Sequence, residues 1–279
     1  MLPKHHKNTF IDNNNNLYVA GGNGSYYIHV WSLDKQTWTR SNISIAWPHG
    51  IGLFATVNGD IYVGNNSHVI KWMFNDTTMP STTVLSGECY DIFIDVNNNL
   101  YCSMQNQHKV VKKSLLSNLT EPITVAGKNG SPGAERHLLF YPYGIFVDIH
   151  LTLFVADHDN NRIQRFELNQ LNGTTVAGNG SKNVTIILNG PTEIVLDADS
   201  NLFIVDFLYK RIVSSGPNGF RCIIGCNQNA SASTRLYSPS TMYFDTYGNI
   251  FVVHGNDTVT QIQKFNLAAN SCGMFSRHE

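Results

Sequence analysis

One short phrase recurs along this chain and limits what it can become: an acid or polar residue, a polar turn, then aliphatic, aromatic and mostly β-branched residues in a row. It is written DNNNNLYV over 12–19, VNGDIYV over 57–63, DVNNNLYC over 95–102, DIHLTLFV over 148–155, DADSNLFIV over 197–205 and DTYGNIFV over 245–252. Aliphatic, aromatic and β-branched runs of this length suit a packed strand, and Asn, Asp and Gly between them suit a tight turn. With Leu17, Ile61, Leu100, Leu153, Leu202 and Ile250 as markers, the units repeat every 39 to 53 residues or so, the spacing of propeller blades. Six such units fill the chain and no helical heptad competes with them.

The clearest unit is PYGIFVDIHLTLFVADHDNNRIQRF over 142–166. Gly144 to Asp148 and Leu153 to Ala156 read as buried strands joined by a hairpin turn. His158 to Asn161 read as a loop. Arg162 to Phe166 alternates polar and apolar residues, which predicts a third strand farther out with one wet face. Together with Val125-Ala126-Gly127 before it, this unit resembles the NHL repeat, with Asn161 where that family has its name-giving histidine. The fifth unit (Pro191, Asp197, Asn201 to Asp206, Lys210-Arg211-Ile212) and the sixth (Pro239, Asp245 to Val252, Gln261 to Phe265) match as well, and the first three more loosely. The resemblance implies an all-β, six-bladed β-propeller of four-stranded blades. We place it as one domain over residues 9–275, between a short N-terminal segment 1–8 and a tail 276–279. The last outer strand is expected from Ser271 to Phe275 or from residues before Thr9, with both chain ends sharing the closing blade.

Nineteen Lys and Arg against twenty Asp and Glu leave a net charge of −1. That balance gives no electrostatic footprint for nucleic acid or anionic lipid. The run His108 to Lys113 reads as a solvated strand edge. No apolar stretch approaches bilayer length, and MLPKHHKNTF lacks the apolar core of a signal peptide.

The Asn content points to the secretory pathway instead. N-x-S/T sequons start at Asn23, Asn42, Asn65, Asn75, Asn118, Asn129, Asn172, Asn179, Asn183, Asn229 and Asn256, where composition alone predicts roughly five. The same Asn-Gly-Ser triplets also make good turns, so extracellular and cytoplasmic settings are weighed equally. Five cysteines are present, Cys89, Cys102, Cys222, Cys226 and Cys272. Cys222 and Cys226 cannot bridge along a straight strand, because four extended residues span about 13 Å. Gly225 between them offers a break at which Cys226 folds back, so the pair is a candidate disulfide. Two buried thiols are the alternative.

Three classes of function are open to such a propeller. The peptide-amidating lyase resembles this chain in its repeats and gathers zinc from histidines that follow inner-strand prolines. Pro48-His49 fits that pattern, whereas Tyr143, Thr192 and Ser240 stand at the other such places and Glu88-Cys89 in the third unit. One imidazole does not make a catalytic zinc site. Six-bladed lactonases hold channel calcium with acids, for which Glu88, Asp157, Glu193 and Asp206 are the available groups. The acids Asp12, Asp95, Asp148, Asp197 and Asp245 recur once per unit, as expected of groups that bond turn amides. NHL propellers of ubiquitin-ligase or translational-repressor chains bind RNA on basic faces, and neither such a face nor a RING segment is seen. The reading adopted is a non-catalytic binding module without metal or cofactor, contacting a protein, peptide or glycan. Its expected channel-facing contacts are His49, Glu88, Tyr143, Thr192 and Ser240, with aromatic help from Trp47, Tyr90, Phe207 and Tyr209.

Overall fold

The computed structural model describes residues 9–21, 26–45, 52–64, 66–73, 82–117, 121–182, 185–227, 235–255, 260–267 and 275–276. It is a six-bladed β-propeller of four-stranded antiparallel sheets. The innermost strands are β1 (Thr9–Ile11), β5 (Leu53–Ala55), β9 (Asp91–Ile94), β13 (Pro142–Val147), β17 (Pro191–Leu196) and β21 (Thr241–Phe244). Each is followed outward by the next three strands of the chain. The end at which the inner strands begin is called the top.

The six marker residues occupy one structural position. Leu17 pairs with Ile11, Ile61 with Ala55, Leu100 with Ile94, Leu153 with Val147, Leu202 with Leu196 and Ile250 with Phe244. Below these pairs, each inner hairpin turns on a side chain that substitutes for backbone. Asp12, Asp95, Asp148, Asp197 and Asp245 each accept two turn N–H groups through Oδ1, from the residues two and four positions on, at 2.8–3.0 Å. Thr56 does part of this work in the second blade, accepting the Asp60 N–H at 3.1 Å. The once-per-unit acids are thus turn-formers, which is why they recur.

Burial lies between the blades. Six apolar clusters form, one for each neighbouring pair of blades, including one that joins Ile11 and Leu17 to Phe251 across the closure. Stacking of faces that no single blade can bury alone accounts for the cooperative ring. Among the described residues, closure does not mix the chain ends in one sheet. The last blade takes its outer strand β24 (Phe275–Ser276) from the C-terminal side, paired with β23 (Thr260–Leu267). Side chains seal the seam instead: Asn15 Nδ2 donates to Thr246 Oγ1 at 2.8 Å, and the Thr246 N–H donates to Asn15 Oδ1 at 2.9 Å.

One strand departs from expectation. In β15 (Arg162–Phe166) the polar residues Arg162 and Gln164 are buried, so the face expected to be wet is dry, and only Arg165 on the other face reaches solvent. Partners make this tolerable. Arg162 bonds Asp157 on the neighbouring β14 (Leu153–Asp157) at 2.6 Å, and Gln164 Oε1 accepts the Thr175 hydroxyl at 2.9 Å, although Gln164 Nε2 has no partner among the described residues. A polar/apolar pattern reports exposure only when the polar groups lack internal partners.

Candidate functional site

The inner strands place one side chain each at the same height in the centre: Phe10, Phe54, Phe93, Phe146, Val195 and Tyr243, which share equivalent pairings with the second strands. Their rings touch around the axis, with Phe10–Phe54 at 4.7 Å, Phe54–Phe93 at 5.6 Å, Phe93–Phe146 at 5.1 Å and Phe10–Tyr243 at 5.9 Å between centroids. An aromatic collar therefore narrows the channel.

Two positions before the collar residue, toward the top, five of the six blades carry Gly52, Asp91, Gly144, Glu193 and Thr241, and the sixth such position lies outside the described residues. Asp91 Oδ2 accepts the Ile145 N–H of the next blade at 2.7 Å. Glu193 Oε2 accepts the Thr241 hydroxyl of its own next blade at 2.8 Å. Gly144 makes room for this, since a Cβ there would lie 2.8 Å from Glu193 Oε1 and 2.6 Å from the Thr192 carbonyl. Both acids latch blade to blade across the channel wall. Burial, then the nearby acids, pushes the Tyr243 phenol well up. Tyr90 is raised well above its ordinary value by burial, then by Tyr143, Asp91 and Glu193. These phenols are held protonated, as hydrogen-bond donors, and not as bases or nucleophiles.

At the top mouth, Tyr143 stacks on His158 at 4.2 Å and meets Tyr90 edge-on at 4.5 Å. Burial raises its phenol, opposed by a hydrogen bond to the Gln105 side chain. Thr192 is buried with its hydroxyl unpartnered among the described residues, and the Ser240 hydroxyl donates to the Val253 carbonyl at 3.4 Å. Glu88 departs from its expected place. The residue that opens the third inner strand is Tyr90, three before Phe93 as Tyr143 is before Phe146. Without a proline to mark the position, the sequence points two residues early, to Glu88. Glu88 Oε1 accepts the N–H groups of Asn106 and Gln107 at 2.6 and 3.1 Å, capping a short 3-10 turn over Gln105–Gln107. His49 and Trp47 lie outside the described residues. The collar residue of His49's unit, Phe54, stands five positions on, against three for Tyr143, Thr192 and Ser240.

The remaining acids have structural partners. Asp157 is fully buried, bonding Arg162, the Phe140 N–H at 2.7 Å and Asn160 at 2.9 Å. Asp206 pairs with Arg211 at 2.8 Å and accepts the Asn189 N–H at 2.7 Å. Burial raises both carboxyls, and their bonds to the arginines and to these backbone amides oppose it. Asn161 and His108 do one job in successive blades, which their sequence did not advertise. Both have left-handed backbone, at φ 55 and 56. Asn161 Oδ1 accepts the Gly190 N–H at 2.7 Å, and His108 Nδ1 accepts the Tyr141 N–H at 3.2 Å, each clasping the approach to the next inner strand.

His254 makes a related bond, accepting the Tyr237 N–H through Nδ1 at 3.3 Å. Burial lowers its pKa, opposed by the Gln263 side chain. The unfolded chain therefore takes up this proton first. Stability contributed by neutral His254 should be present above about pH 6.5 and lost as pH falls from there toward the folded pKa, by at most ~1.4 kcal/mol per pH unit. Urea midpoints measured between pH 5 and 8 should show this slope in the wild type and a flatter one in His254→Gln.

The top face near blades five and six exposes aromatics. Tyr209 and Tyr237 are 43% and 41% exposed, with Arg211 and Arg235 over their rings at 4.9 and 5.6 Å. Phe207 is half-buried beside them.

The sulfurs of Cys222 and Cys226 are bonded, with Cα atoms 5.7 Å apart. The strand β20 (Arg221–Ile224) bulges at Ile223 and the chain turns back at Gly225, φ 74. Cys89 and Cys102, which the sequence did not pair, are bonded too, with Cα atoms 5.5 Å apart across one hairpin. Asn129, Asn172 and Asn179 are exposed and Asn42 lies on β4 (Thr37–Ile45). Asn23, Asn65, Asn75, Asn118, Asn183, Asn229, Asn256 and Cys272 lie outside the described residues. Among the described residues no three His, Cys, Asp or Glu side chains are grouped to hold a metal ion, and no helix is long and apolar enough to cross a membrane.

No family model matches the chain, and no curated protein matches it in sequence. Among solved structures it is similar to virginiamycin B lyase from Staphylococcus aureus, 13% identical with a TM-score of 0.65 over 98% of this chain and 83% of that one. It is also similar to a chain of a nidogen/laminin complex, 17% identical with a TM-score of 0.63 over 86% and 85%. A protein of unknown function from Bacteroides thetaiotaomicron is 14% identical with a TM-score of 0.65 over 87% and 64%. At these identities the likeness is one of fold, which hosts both catalysis and binding.

Proposed function

We propose that this chain is a binding module whose top face receives a protein, peptide or glycan partner. The observation that carries this reading is the pair of half-exposed tyrosines, Tyr209 and Tyr237, each under an arginine and held by rigid blades. Tyr and Arg dominate binding hot spots because they bury large area while keeping a polar handle. Protonated phenols at the mouth add hydrogen-bond donors suited to carbonyl and hydroxyl groups. The once-per-unit acids, the Val-Ala-Gly ends and the clasps at His108 and Asn161 support an NHL-type propeller spanning 9–275. Two cystine-like pairs and exposed sequons at Asn129, Asn172 and Asn179 support an extracellular setting.

The test is a peptide and glycan array probed with wild type and with Tyr209→Ala/Tyr237→Ala. Both substitutions are at the surface, so folding should persist while binding falls at least tenfold, the loss of one hot spot. Equal array signals from both proteins would sink the assignment to this face. Elemental analysis without chelators bears on the lyase and hydrolase alternatives: one equivalent of zinc or calcium, lost on His49→Ala or Glu88→Ala, would overturn the non-catalytic reading.

A further inference from the structure

At the opposite, bottom end, a cleft of about 230 Å³ opens between the third and fourth blades. Its floor is Tyr101, Leu153 and Phe166, all buried, and its rim is Ile123, Leu168 and Leu171, which are 54%, 44% and 55% exposed. On the third-blade wall, Tyr101, Lys112 and Ile123 form one row, since Tyr101 pairs with Lys112 and Lys112 with Ile123 in register. Apolar groups gathered at a concave place, with a cation set among them, have the composition of a small-molecule site.

The cation is the informative group. Four blades carry Lys or Arg opposite the aromatic residue of the second strand: Lys71 opposite Tyr62, Lys112 opposite Tyr101, Arg165 opposite Phe154 and Lys264 opposite Phe251. Three of them find an acid in their own blade, Lys71 with Asp60 at 2.7 Å, Arg165 with Glu167 at 3.0 Å and Lys264 with Asp245 at 3.5 Å. Among the described residues Lys112 alone of the four makes no ion pair. Glu167 also lines the cleft, but its charge is matched by Arg165. The cleft lining is therefore largely apolar, with Lys112 as its cation outside an ion pair, while the turn acid Asp95 lies behind the floor, hydrogen-bonded to the Tyr101 phenol.

We propose that this cleft binds a small free carboxylate with an unbranched alkyl tail, the tail lying on Tyr101, Leu153 and Phe166 and the carboxylate meeting Lys112. This site is independent of the top-face reading, and its failure would leave that reading untouched. Octanoate is the probe, of a size that such a cleft accepts, with octan-1-ol and octylammonium as neutral and cationic controls. Methyl NMR titrations of the intact protein should shift Leu153, Leu168 and Leu171 with octanoate. Hexanoate, two methylenes shorter, should bind about tenfold more weakly. Lys112→Ala should weaken octanoate about three- to fivefold, as a partly exposed charge pair does, and leave octan-1-ol unchanged. Lys112→Glu should make octylammonium the tighter ligand. Lys112 is on the cleft wall and not in a core cluster, so these variants should fold, as their methyl spectra will report. Unmoved cleft methyls, or equal affinity for octanoate and octan-1-ol in the wild type, would overturn the proposal.

Discussion

Gly178→Ala should cost about 3 to 5 kcal/mol and leave little folded protein at 37 °C, whereas Gly180→Ala, two residues away, should cost only about 1 to 2 kcal/mol. Both glycines have left-handed backbone, at φ 81 and 84, so both pay for a Cβ in that region. They differ in what the Cβ meets. At Gly178, the last residue of β16 (Thr174–Gly178), it would lie 2.2 Å from the Asn161 carbonyl oxygen and 2.9 Å from the Arg162 Cα. Both are backbone atoms, at the start of the neighbouring strand and the residue just before it, and cannot swing aside. At Gly180 the nearest atom is Thr175 Oγ1 at 3.8 Å, an ordinary contact. Guanidinium chloride melts of the two variants separate the effects. Equal midpoints would mean that the outer strand moves freely away from Asn161.

Asp157→Ala should lose about 3 to 5 kcal/mol, because it strands a buried charge. Arg162 is 5% exposed and would keep only its bonds to the carbonyls of Ala134, Glu135 and Leu138. The Phe140 and Asn160 donors would also lose their acceptor. Asp206→Ala in the next blade should cost less. The Arg211 side chain is 22% exposed against 6% for that of Arg162, so water can take over part of the lost partner,. Chemical denaturation of the two variants at pH 7 checks the order. A smaller loss at Asp157 than at Asp206 would show that the buried pair is not what holds the loop before β13.

These two sites differ in how visible they were in advance. Val-Ala-Gly at 176–178 belongs to the repeat pattern, so its place in the blade was legible. The reason for its glycine was not, because the close approach of Asn161 joins residues from two strands. Asp157 and Arg162 stood among ordinary loop and strand residues. Nothing local tells a solvated pair from one that ties down residues 134–140 of the preceding loop.

By itself the sequence determined the number of blades, the inner hairpins and the turn acids. Each rests on contacts within a few residues: alternation on a pleat, and a carboxylate reaching amides two and four positions ahead. The tertiary structure alone decided the rest. Stacking of blades buried Arg162 and Gln164 of β15 and turned Asp91 and Glu193 into latches between strands 50 or so residues apart, the length of one repeat. It put Tyr90, and not Glu88, at the third opening of the channel. It left Lys112 out of an ion pair among the described residues, although Asp95 stands in its blade where Asp245 pairs with Lys264. Those outcomes depend on which faces meet when the ring closes, and pairings between distant segments leave no periodic mark on the chain.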